Sequence, residues 1–131
     1  MTDMGWEIHP ESLTTTLKQT QERLPGVPLY ITENGGAFPD VLVGGEIEDQ
    51  DRVEYFQTHL DAALKAREDG VDLRGYFAWS LLDNMEWAHG LSKRFGLFHV
   101  NFETQKRTAK MSANFFRRLL ARRKPESDRI G

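Results

Sequence analysis

The sequence has no cysteine among its 131 residues, which excludes disulfides, thiol nucleophiles and thiolate metal sites. Long apolar runs are missing too. None approaches the roughly 20 residues needed to cross a bilayer, so no membrane segment is expected. Positive charge is not in excess: 17 lysines and arginines face 20 aspartates and glutamates. A net charge of -3 offers nucleic acid no attraction. The basic group Arg117, Arg118, Arg122, Arg123 and Lys124 ends a predicted helix, where the helix dipole favours cations. His9, His59, His89 and His99 are scattered without ligand spacing. Glu46, Glu48, Asp49 and Asp51 lack the central Gly and terminal Glu of a calcium loop. Neither a metal nor a cofactor is therefore expected. The opening Met1-Thr2-Asp3-Met4-Gly5-Trp6 has no basic segment followed by an apolar one, so no secretory leader is visible and a cytoplasmic location is the expectation.

What is present suits a soluble globular unit, with 39% hydrophobic and 28% charged residues. Residues 10–24 read as a helix because Leu13, Leu17 and Leu24 recur at four and seven residues. Pro25-Gly26 stops it. Leu29-Tyr30-Ile31-Thr32 is β-prone without alternation, as in a strand buried on both faces. Residues 35–45 hold Gly35, Gly36, Pro39, Gly44 and Gly45 and read as a loop. Asp51 and Glu54 make a capping box for a helix whose inward face is Val53, Phe56, Leu60, Ala63 and Leu64, closed by Gly70. Residues 73–82 form a second buried strand, followed by a long loop to Gly96. Residues 97–102 alternate as a strand leading into a turn at 103–106. Residues 112–123 form the last helix, with Phe115, Phe116, Leu119 and Leu120 inward. The structured portion covers residues 1–124, and residues 125–131 are a polar tail.

This rhythm of helix, buried strand and loop predicts an α/β fold with parallel strands. Two buried strands are too few for an open sheet to stand alone. The pattern is that of a piece of something larger.

Two segments carry chemistry. Glu33, in Ile31-Thr32-Glu33-Asn34-Gly35, ends the first buried strand as the chain enters a Gly-rich loop. Catalytic groups of α/β folds sit at that end of the strand. By itself the pentapeptide leaves two readings open, a catalytic carboxylate or a strand-end Glu facing water. The second segment is Trp79-Ser80-Leu81-Leu82-Asp83-Asn84-Met85-Glu86-Trp87, at the exit of the next strand. Aromatic faces stack on the apolar faces of a pyranose, while carboxylates and indole N–H groups take its hydroxyls. The bland reading makes the tryptophans core residues and Glu86 a solvated charge.

Taken together, Ile-Thr-Glu-Asn-Gly and Ala-Trp-Ser-Leu-Leu-Asp-Asn-Met-Glu-Trp, about 45 residues apart, resemble glycoside hydrolase family 1, the β-glucosidase family. The likeness runs from Thr2-Asp3-Met4-Gly5-Trp6-Glu7 through Asp51-Arg52-Val53-Glu54-Tyr55 and Arg94-Phe95-Gly96-Leu97 to Glu103-Thr104-Gln105-Lys106-Arg107-Thr108, ending near Leu120. It implies the C-terminal part of a TIM (β/α)8 barrel, strands seven and eight with flanking helices, incomplete. It makes Glu33 the nucleophile of a retaining β-glucosidase. It also makes Glu86 and Trp87 the hydrogen-bonding partners of the sugar, Trp79 the stacking platform and Phe95 an aromatic lining residue. The implied partner is a β-glucoside or related unphosphorylated sugar, because the Glu86 carboxylate repels a 6-phosphate dianion. Gly36 stands where the family usually carries a side chain, which loosens the loop after Glu33, and Ala109 stands where Pro is common.

The family's acid/base, in an Asn-Glu-Pro motif on strand four, is not in this sequence. The resemblance thus implies a fragment that holds the nucleophile without the acid/base and is close to inactive alone. A second reading is a truncated, non-catalytic chain that binds sugar weakly or only associates with an N-terminal partner half. Uncovered strand edges would make either chain aggregation-prone.

Overall fold

The computed structural model describes residues 1–121. The last two residues of the predicted helix, Arg122 and Arg123, together with Lys124 and the polar tail, lie outside the described residues.

Helix α1, Pro10–Arg23, starts with its proline in the first turn, where the missing N–H is not needed. Leu17 is buried and Leu13 packs beside it. Leu24, counted into the stripe on sequence, is 48% exposed because the helix ends one residue earlier. Strand β1, Leu29–Asn34, follows.

The predicted loop at 35–45 is partly a hairpin. Strands β2, Val41–Val43, and β3, Glu46–Glu48, pair antiparallel around Gly44-Gly45. Both glycines have positive φ, 58° and 90°, the conformation a two-residue hairpin turn of this hand requires. Val41, Leu42 and Val43 are all exposed, so no burial pattern announced the strand.

Helix α2 spans Gln50–Glu68. Its N-cap is Asp49, and the predicted Asp51–Glu54 box does not form the cap. Gly70, at φ 99°, follows the helix in the left-handed conformation that favours glycine. The buried face is Arg52, Val53, Tyr55, Phe56, His59, Ala63 and Ala66. Leu64, expected inward, is 52% exposed.

Strand β4, Leu73–Ala78, pairs in parallel with β1, with Leu29 opposite Leu73 and Asn34 opposite Ala78. Helices α1 and α2 cover one face of this pair through Leu17, Ile31, Ala63, Ala66, Val71 and Leu73. The hydroxyl of Thr14 ties the two helices by donating to the Ala62 carbonyl, 2.8 Å. The expectation of strands buried on both faces fails in this chain. Tyr30 is 54% and Phe77 58% exposed, because only the helical face is covered.

After a 3₁₀ turn at Trp87–His89, strands β5, Phe98–Val100, and β6, Arg107–Ala109, form an antiparallel hairpin. Helix α3, Met111–Ala121, closes the described chain. Its Phe116 meets Phe56 edge-on at 5.0 Å. A second apolar cluster gathers Phe38, Tyr55, Phe56, Leu97 and Ala113. Leu119 and Leu120, expected inward, are 40% and 61% exposed. They lie on the half of α3 beyond Phe116, past its packing on α2. No helix among the described residues is long and apolar enough to cross a membrane.

Candidate active site

The parallel pair brings two chain exits together at its carboxyl end. The backbone N–H of Trp79 donates to the Asn34 carbonyl at 2.8 Å. Gly35 lies so close that a Cβ there would sit 1.8 Å from the Trp79 carbonyl oxygen. Only hydrogen fits, and this contact fixes the Glu33 exit against the Trp79 exit. The Trp79–Ser80 peptide bond is cis. Asn34 is held from below: the Tyr76 phenol donates to its side-chain oxygen at 2.6 Å. Burial pushes the Tyr76 phenol up, with the neighbouring Tyr55 adding to it, so Tyr76 stays a neutral donor.

At this end opens a cleft of about 370 Å³ lined by Trp6, Glu33, Asn34, Gly35, Tyr55, Trp79, Glu86, Trp87 and Phe95. All five residues singled out on sequence, Glu33, Trp79, Glu86, Trp87 and Phe95, face this one cleft. Phe95 is 3% exposed and forms its floor, whereas Trp87 stands 90% exposed at the rim. Sequence reasoning missed Trp6, whose ring lies 6.1 Å from that of Phe95. Its signal was available: the chain has three tryptophans, and the other two were already in the constellation. Tyr55 and Asn34 were missed as lining residues for a different reason. One is on a helix read only for its apolar face, and the other flanks the residue that drew attention.

Behind the cleft lies a buried cluster of charges. Asp83, between Trp79 and Glu86, accepts from the Gly96 N–H at 2.9 Å, the Val100 N–H at 3.2 Å and Arg94 at 3.0 Å. Arg52 is fully buried and donates to the carbonyls of Phe38, 3.1 Å, and Arg94, 2.5 Å, and to Asp49. Asp49 in turn accepts from the backbone and hydroxyl of Ser112 at the start of α3, at 2.9 and 2.5 Å. That tertiary use explains why the N-cap side chain does not cap its own helix. Burial alone would raise the Asp40 carboxyl. The His99 hydrogen bond and the charges of Lys110 and Arg52 outweigh it and hold that carboxyl below its usual range.

Asp40, Asp83 and His99 offer ligand atoms within 4.8 Å of one another, a grouping the 59-residue separation of Asp40 and His99 hid in the sequence. The cation they surround is protein: the Lys110 ammonium lies 2.9 Å from both Asp40 and Asp83. The donor set is committed to that ammonium and does not fit a metal.

A carboxylate, three tryptophans and a second carboxylate thus line a cleft at the carboxyl end of paired parallel strands, the edge at which α/β folds generally hold their ligands. The sequence matches glycosyl hydrolase family 1 over residues 1–125, and the chain belongs to that family. It is 50% identical over 125 residues to the bifunctional β-D-glucosidase/β-D-fucosidase of Bifidobacterium breve, covering 92% of this chain and 27% of that one. The β-glucosidase of Thermotoga maritima in complex with glucoimidazole superposes with a TM-score of 0.89 at 48% identity, over 92% of this chain and 28% of that one. A 6-phospho-β-galactosidase of Clostridium acetobutylicum is 44% identical over 90% of this chain and 25% of its own length. The chain thus spans about a quarter of the relatives it matches, and is a partial α/β piece of a TIM-barrel fold.

Proposed function

We propose that this chain is the strand-seven and strand-eight segment of a retaining β-glucosidase, carrying the nucleophile and the sugar-recognition loop. The observation that supports it is the convergence of Glu33 with Trp79, Glu86 and Trp87 on one cleft. An oxygen of the Glu33 carboxylate attacks the anomeric carbon and forms a glycosyl ester. The bond from that carbon to the leaving oxygen breaks, and the leaving oxygen takes a proton from a general acid. Water then hydrolyses the ester, giving up a proton to the same group. In retaining enzymes the two carboxyl groups lie roughly 5 Å apart. Glu86 is the other carboxylate lining the cleft, and the resemblance assigns it to sugar hydroxyls. The acid/base therefore comes from outside this chain, from the N-terminal portion of the barrel that would also cover Tyr30 and Phe77.

Substrate choice follows from Glu86. A phosphate charge about 4 Å from it would meet a repulsion of about 4 kcal/mol at an effective dielectric constant of 20. The named activity of the Clostridium relative makes this a direct comparison: an aryl β-glucoside should be preferred to an aryl 6-phospho-β-galactoside.

The deciding experiment measures hydrolysis of an aryl β-glucoside by the chain alone and after co-refolding with the N-terminal portion of the Thermotoga maritima enzyme. Activity only in the mixture, abolished by Glu33→Gln, is expected. Robust activity from the chain alone, abolished by Glu86→Gln as well, would show that the two cleft carboxylates form the catalytic pair and overturn the half-site reading. A mixture that binds sugar yet never turns over would leave a non-catalytic binding chain.

A further inference from the structure

We propose that Lys110 is a positioning residue of the cleft: its ammonium is the bracket that sets the Glu33 loop against the loop of Trp79, Glu86 and Trp87. The inference rests on reading that cleft as a sugar site. Lys110 is fully buried, and its Nζ lies 2.9 Å from Asp40 Oδ1 and 2.9 Å from Asp83 Oδ1. Asp40 belongs to the loop that begins just after Glu33, and Asp83 to the loop that carries the sugar-facing residues.

Each carboxylate is fastened to its own surroundings. Asp40 is held by His99 at 2.8 Å and Arg52 at 3.4 Å. Asp83 is held by Arg94 and by the backbone N–H groups of Gly96 and Val100. Through those N–H groups a shift of Asp83 is a shift of Phe95, the cleft floor. The lysine is the one side chain at 2.9 Å from both carboxylates, whereas His99 reaches Asp40 at 2.8 Å but Asp83 only at 3.7 Å. It adds to the Phe38 N–H to Arg94 carbonyl bond between the same loops, and its own backbone N–H donates to the Leu97 carbonyl at 3.0 Å. None of Asp40, Asp83 and Lys110 lines the cleft, so the effect runs through the loops and not through contact with a ligand. Geometry explains why the sequence spends a buried cation here. Without it the two carboxylates lose the cation they share and keep only Arg52 and His99 on one side and Arg94 on the other, so their mutual repulsion in a water-poor site loosens the loops. A hydrophobic residue of equal volume could fill the space, but could not draw both loops to one point.

All three tryptophans of the chain line the cleft, so they report on it directly. The chain would be labelled with 5-fluorotryptophan and titrated with isofagomine, a glucose-shaped amine whose ring ammonium stands at the anomeric position. In the free protein, Lys110→Met should move the fluorine resonances of Trp79 and Trp87. It should also weaken isofagomine binding at least tenfold, while far-UV circular dichroism keeps the helical content. Lys110→Cys, alkylated to its aminoethyl derivative in urea and refolded, restores the ammonium and should restore both readouts. The pair Lys110→Met with Asp83→Asn removes one charge of each sign. It carries the test if the single variant does not fold, and it should bind as weakly as the single variant.

Resonances and affinity unchanged in Lys110→Met would overturn the bracket. Affinity restored by the charge-balanced pair would overturn it as well, because charge balance and not linkage would then be what matters. If the unaltered chain ignores isofagomine, the sugar-site reading fails, and the bracket is still decided by the resonances of the free protein.

Discussion

The tightest constraint at the cleft is the missing side chain of Gly35, and it allows a sharp comparison with its neighbour. A methyl at residue 35 would lie 1.8 Å from the Trp79 carbonyl oxygen and 2.8 Å from its carbonyl carbon. Real Cβ atoms essentially never come under 3.0 Å, so the two strand exits must separate by at least 3.0 - 1.8, about 1.2 Å. The obstacle is backbone and cannot rotate away. A methyl at residue 36 meets only the Phe38 ring edge at 2.9 Å and the Thr2 methyl at 3.1 Å, both on side chains. Gly35→Ala should break the Trp79 N–H to Asn34 bond, a loss of about 1 kcal/mol. It should also displace Glu33 by about an ångström, a misplacement that lowers rates on the order of 10²-fold. Gly36→Ala should cost about 1 kcal/mol of stability by crowding and change the rate only a few-fold. The assay is kcat/KM on an aryl β-glucoside in the co-refolded mixture, with circular dichroism of each variant. Equal losses from the two alanines would refute the claim that this backbone contact sets the position of Glu33, the proposed nucleophile.

Phe56→Ala should destabilise by about 3–5 kcal/mol, read from urea midpoints at low protein concentration, since Phe56 is fully buried between Tyr55 and Phe116. Burial holds the His59 imidazole below its usual 6.5, despite its hydrogen bond to the Tyr55 carbonyl and the nearby Glu11 charge. The unfolded chain then binds the proton first, so stability should fall as pH drops through 6.5, and His59→Gln should flatten that slope. Asp40, held below 3.8, adds stability that persists above that pH and is lost below it, so unfolding midpoints should drop again there and do so less in Asp40→Asn. Leu64→Asp and Phe77→Asp place charge on the bare faces of α2 and β4 and should lower light scattering by the chain alone. The same changes should abolish activation by the N-terminal portion, and an unimpaired mixture would show that these faces are not where it sits.

The parallel pair and its two covering helices were legible because each depends on local signals, apolar spacing and Pro and Gly stops. Of the cleft's five residues only Glu33 stood out by its place at a strand end, with two readings open, and the roles of Trp79, Glu86, Trp87 and Phe95 came from the family resemblance. The buried charges were not. Nothing in the sequence marked Arg52, Lys110, Asp49 and Asp83 for burial, since a lone charge is rarely buried. What makes it tolerable includes contacts distant in sequence: Lys110 with Asp83, 27 residues apart, and Asp49 with Ser112, 63 apart. Reading α2 by its apolar residues alone therefore placed Leu64 inside and left Arg52 and His59 out. The β2–β3 hairpin escaped because its first strand is exposed throughout. Leu119 and Leu120 misled in the opposite sense: they are apolar, as a buried face requires, but what this chain folds against ends at Phe116.

A division of chemistry follows from which contacts are local. The Trp79 N–H bond to Asn34 sets the Glu33 exit beside Trp79, and Glu86 and Trp87 line the same cleft. On the proposed reading this is the recognition half of the site, within the limits of its bare strand face. Proton delivery to the leaving oxygen is different, because among the described residues Glu86 is the one carboxylate besides Glu33 that lines the cleft. General acid catalysis contributes on the order of 10²–10⁴-fold, and its need grows with the basicity of the leaving group. On the proposed reading, the deficit of the isolated chain in kcat/KM, which covers the steps up to ester formation, is a leaving-group deficit: smallest for a nitrophenyl glucoside, whose phenolate departs unprotonated, and near complete for an alkyl glucoside. A deficit equal for both would point instead to a cleft that does not hold its shape, and would place the failure in folding and not in chemistry.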